Sequence, residues 1–118
     1  MSAPSDAGAL GDDLRTLTRR VRPWSTTRWA RADNSMVAYR LVLDLLALTR
    51  LVRADVPGEA RLPRLGVHAL ADQIAVVGAM LVEACQTASD KTAPDAPDLT
   101  DLVGDARRLV REAGRQLS

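Results

Sequence analysis

Residues 35–54 read SMVAYRLVLDLLALTRLVRA, and the centre of that stretch, LVLDLLAL at 41–48, is apolar on nearly every side of a helix. Only Asp44 interrupts it, with Arg40 one turn earlier on the same narrow polar stripe. A helix with so little polar surface is either central in its domain or shared with a second chain. A membrane span is ruled out, because the apolar run is far shorter than the roughly 20 residues needed and an Asp near mid-bilayer costs about 2.5–3.5 kcal/mol. Asp33, Asn34 and Ser35 supply three successive N-cap candidates, so a helix from Ser35 to Ala54 is expected.

Working outward, Val56–Pro63 (VPGEARLP) is a connection marked by two prolines and a glycine, and a helix is expected from Leu65 or Gly66 to Ala88. Its stripe is Val67, Leu70, Ile74, Val77 and Leu81, and Ala71, Ala75, Gly78 and Ala79 leave part of it thin. A polar linker follows, SDKTAPDAP at 89–97, then a helix over Leu99–Gln116. Asp98 stands as N-cap and Asp101 mimics the capping-box Glu, while Arg107, Arg108, Arg111 and Arg115 suit the negative end of the dipole. On the other side, Leu10, Leu14, Leu17 and Val21 form one stripe of a helix over Gly11–Arg22, stopped by Pro23. Residues 1–10 are too small and polar to predict order and are expected to form a disordered tail.

Composition agrees. The 118 residues carry 19 Ala, 17 Leu and 11 Val but one Ile, one Tyr, two Trp and no Phe, so helix formers abound and strand formers other than Val are scarce. The expected fold is all-α, a small antiparallel four-helix bundle of alternating direction over residues 11–118. The alternative is a three-helix core with the first helix packed on a partner chain.

Chemistry is hard to place on this chain. A single cysteine, Cys85, excludes an internal disulfide and a thiolate metal cluster, and its apolar neighbours make it a small core residue. His68 and Asp72 lie one turn apart, but there is no second His, so the pair reads as structural rather than as a base or a metal site. No phosphate-binding glycine loop and no nucleophile elbow occurs. The expectation is a protein that is not an enzyme, with no cofactor, no metal and no small-molecule substrate. With no basic leader followed by an apolar run, it is expected to be cytoplasmic, and the preference for Arg over Lys and Asp over Glu fits a GC-rich bacterial genome.

Charge is segregated beneath a net +1: residues 1–13 carry −3, residues 14–64 carry +7 and residues 65–118 carry −3. The densest part is RTLTRRVRPWSTTRWAR at 15–31, with six Arg, two Trp and no acid. Arg and Trp are enriched at protein interface hot spots, so Arg15, Arg19, Arg22, Trp24, Arg28, Trp29 and Arg31 are the candidate partner-binding residues. The same residues could instead cap one end of the bundle, or form a nucleic-acid surface through phosphate contacts and base stacking. The functional expectation is an interaction or adaptor module that self-associates as a homodimer, with a nucleic-acid-associated regulator as the alternative.

Overall fold

The computed structural model describes residues 6–55, 66, 69–89 and 99–118. Four long helices and one short one make up the described fold: α1 (Asp6–Val21), α2 (Thr26–Ala30), α3 (Asn34–Val52), α4 (Leu70–Ser89) and α5 (Leu99–Gln116). No described helix is long and apolar enough to cross a membrane.

α1 starts five residues before the expected Gly11, so the stretch from Asp6 to Leu10 is helix rather than tail. The reason is the apolar stripe itself, which continues backward from Leu14, Leu17 and Val21 through Leu10 to Ala7, all buried. Those contacts outweigh the low helix preference of Gly8 and Gly11. The rest of the expected tail, residues 1–5, lies outside the described residues, as do the connection over 56–63 and the Asp98 cap. α1 packs against α4 and α5 of its own chain, which sets aside the alternative of a first helix lying on a partner. The third predicted helix is described from Leu70, preceded by a hydrogen bond from the Ala69 amide to the Gly66 carbonyl (2.9 Å).

The all-α four-helix bundle stands, with α1 and α3 on one diagonal and α4 and α5 on the other. The expected alternation of direction does not hold. Arg107 of α5 meets Asp13 of α1, and Arg20 further along α1 meets the Gly114 carbonyl, so α1 and α5 run parallel. Leu14 faces Gly78 while Arg22 meets Asp72, so α1 and α4 are antiparallel. Asn34 at the start of α3 bonds Ser118 beyond the end of α5, so that pair is antiparallel too. Leu70 at the start of α4 shares a groove with the first half of α3, and α4 and α5 each fix their direction against α1, so α3 and α4 are parallel. A helix of 19 residues is about 28 Å long at ~1.5 Å per residue. The chain between Val52 and Leu70 can extend to about 55 Å, ample for a return along the bundle.

The core is aliphatic: Leu10, Leu45, Ile74, Leu81 and Leu117 are fully buried, joined by Cys85 and by Trp29 at one end. Two buried threonines keep their hydroxyls satisfied by donating back one turn, Thr18 to the Leu14 carbonyl (3.0 Å) and Thr49 to the Leu45 carbonyl (2.8 Å). Cys85 is buried, and that burial pushes its thiol up from the ordinary range.

Candidate functional site

The Arg/Trp segment spans the end of α1, a turn, and α2. Ser25 caps α2 by accepting from the Arg28 amide (3.1 Å), and Ala32, at a left-handed φ of 51°, turns the chain into α3. This short helix folds both indoles inward. Trp29 is only 2% exposed and Trp24 9%, with ring centroids 5.0 Å apart and planes tilted by 59°. The Arg28 guanidinium lies 4.3 Å from the Trp24 ring centroid and that of Arg20 lies 5.9 Å away, so two cations contact the more exposed indole.

Trp24 and Trp29 are therefore packed into this end of the core of their own chain. Around them the end is stitched by polar groups. Arg20 donates to the carbonyls of Gly114 (2.6 Å) and Leu117, which lack partners within their own helix end. Asn34, 1% exposed, donates to the carbonyls of Arg28 (2.8 Å) and Ser118 (3.2 Å) and accepts from the Ser118 amide (3.1 Å). One buried amide thus ties α2, α3 and the end of α5 together. Sequence reasoning offered Asn34 only as an N-cap; α3 begins instead behind Asp33, which makes no side-chain cap bond.

The arginines of the candidate set stay exposed. Arg15, Arg19 and Arg22 line a shallow cleft of about 420 Å³ on α1 with Thr18 and Pro23. Two of the three are neutralised within the chain, Arg15 by Asp12 and Arg22 by Asp72 (2.5 Å). Arg28 is spent on Trp24, and Arg31 is exposed at the end of α2. The structure brings Arg15, Arg19 and Arg22 together along one cleft and sets Arg28 over the paired indoles of Trp24 and Trp29. Asp72 pairs with Arg22, and its suggested partner His68 lies outside the described residues. Among the described residues no cluster of three or more His, Cys, Asp or Glu could hold a metal.

A second region is distinct. Leu41, Val42, Leu45 and Leu46 of α3 are buried, but the opposite side of the same helix faces outward. There Met36 is 70% and Leu51 74% exposed, Ala47 is exposed and Leu43 is half-buried. This outer face borders a groove of about 780 Å³, whose other walls are Leu70, Leu109, Glu112 and Gln116. The sequence signal for it was the near-complete apolar circumference at 41–48. Comparison with family models, with curated proteins and with solved structures finds no match to this chain.

Proposed function

We propose that this chain is a non-enzymatic protein-interaction or adaptor module that works by self-association, in the cytoplasm of a bacterial cell, and that the outer face of α3 is its contact surface. The observation that carries the reading is the exposure of Met36 and Leu51 on a helix whose other side is fully buried in its own bundle. Large apolar side chains along one helix face, rimmed by charge, are the pattern of an interaction site. The aliphatic core and the Trp cap supply a stable platform for that face.

The test is to make Met36→Glu and Leu51→Glu together. Both positions are exposed, so the helical circular dichroism and melting temperature should stay as in the parent, while association measured by sedimentation is lost. Unchanged association in the folded double variant would refute the reading.

A nucleic-acid role for the row Arg15, Arg19 and Arg22 draws on their shared cleft. It is the weaker reading, because Asp12 and Asp72 already neutralise two of the three. Phosphate-driven binding would fall steeply with salt, whereas apolar association through α3 would not.

A further inference from the structure

Arg40 and Asp44 stand one turn apart on the outward side of α3, and among the described residues neither has an ion-pair partner. Arg preceding an acid by four residues is the less favourable order for a pair within one helix. We infer that the partner on this face is a second copy of the chain, its α3 lying antiparallel on the first across a two-fold axis near residue 42. This rests on the reading of α3 as a self-association surface and fixes the register in which the two copies meet.

Symmetry carries the argument. Arg40 and Asp44 fall on the same flank of the outer stripe, and across a two-fold axis like flanks meet. Setting Arg40 against Asp44 of the second copy therefore also sets Asp44 against its Arg40, giving two ion pairs from one arrangement. The same register sets Met36, 70% exposed, opposite position 48 of the second copy, one residue from the small, exposed Ala47 on that face. It brings the two Leu43 side chains within about one turn of each other beside the axis. The charges thus select one register of one face against itself.

The experiment is sedimentation of the full chain at micromolar concentration for the parent, Arg40→Asp, Asp44→Arg and the doubly swapped variant, with circular dichroism to confirm folding. The parent should be dimeric. Each single reversal turns two attractions into repulsions and should weaken association roughly tenfold, and the double swap should restore it. Separately, Leu43→Cys should form an intermolecular disulfide under mild oxidation while the parent, whose Cys85 is buried, does not. A monomeric parent overturns the inference, including the case in which the thiol of the Leu43→Cys variant is unreactive because other parts of the chain cover the face. A dimer lost in Met36→Glu but indifferent to the charge swap and uncrosslinked by Leu43→Cys upholds the contact surface and overturns this register.

Discussion

The Trp-capped end and the outer face of α3 reverse what their sequences advertise. The segment 15–31 is dense in Arg and looks like surface, yet it holds Trp29 at 2% exposure. The stretch 41–48 reads as core and its large side chains are buried or half-buried, yet toward the two ends of the same helix Met36 and Leu51 are mostly exposed. The lesson is geometric. Long Arg stems can cover an indole while their guanidinium groups remain in water, so charge density along the chain hides buried aromatics. A helix in a four-helix bundle buries the side that faces its neighbours, so apolar residues on the outer side toward its ends stay open to water.

The largest expected effect falls on the first region. Trp29→Ala removes a buried indole and should destabilise by about 3–5 kcal/mol, lowering the melting temperature by roughly 10 °C or more. A melting temperature within a degree or two of the parent would mean that the indole is not part of the core. Trp24→Ala should cost less, since Trp24 is the more exposed of the two indoles and Arg28 and Arg20 lie over its ring.

Two glycines sharpen the contrast between packed and open helix faces. A Cβ on Gly78 would lie 2.7 Å from Leu14 Cδ1, whereas one on Gly104 would meet nothing within 4 Å. Gly78→Ala gains helix preference but crowds a buried Leu, for a net loss of about 1 kcal/mol. Gly104→Ala has only the gain and should stabilise by about 0.5–1 kcal/mol. Chemical denaturation measures both, and equal signs would show that α1 and α4 do not approach as described.

Much of the fold was legible because helix periodicity is a local property. The buried stripes of α1, α4 and α5 follow the apolar spacing of the chain, and the stripe of α1 extends through Leu10 to Ala7 once helix is allowed there. Direction was not legible. Whether α4 runs with or against α3 depends on a connection whose length permits either, and only contacts such as Arg22 with Asp72 decide it. The Arg/Trp segment was readable in three ways, since Trp and Arg serve buried caps, protein interfaces and nucleic-acid surfaces alike. Asn34 could not be recognised as a tie, because its partners, the backbones of Arg28 and Ser118, lie far from it in sequence or carry no side-chain signal.

The smallest stability effect belongs to the second region and bears on the central claim. Met36→Glu and Leu51→Glu, at 70% and 74% exposure, should each leave the chain's folding stability within about 0.5 kcal/mol, as surface substitutions do. The decisive measurement is sedimentation of the parent and of that double variant at micromolar concentration, both checked for native helicity. The parent should sediment with the mass of two chains and the variant with that of one. A parent that sediments as a single chain, or a variant that remains paired, would refute self-association through α3.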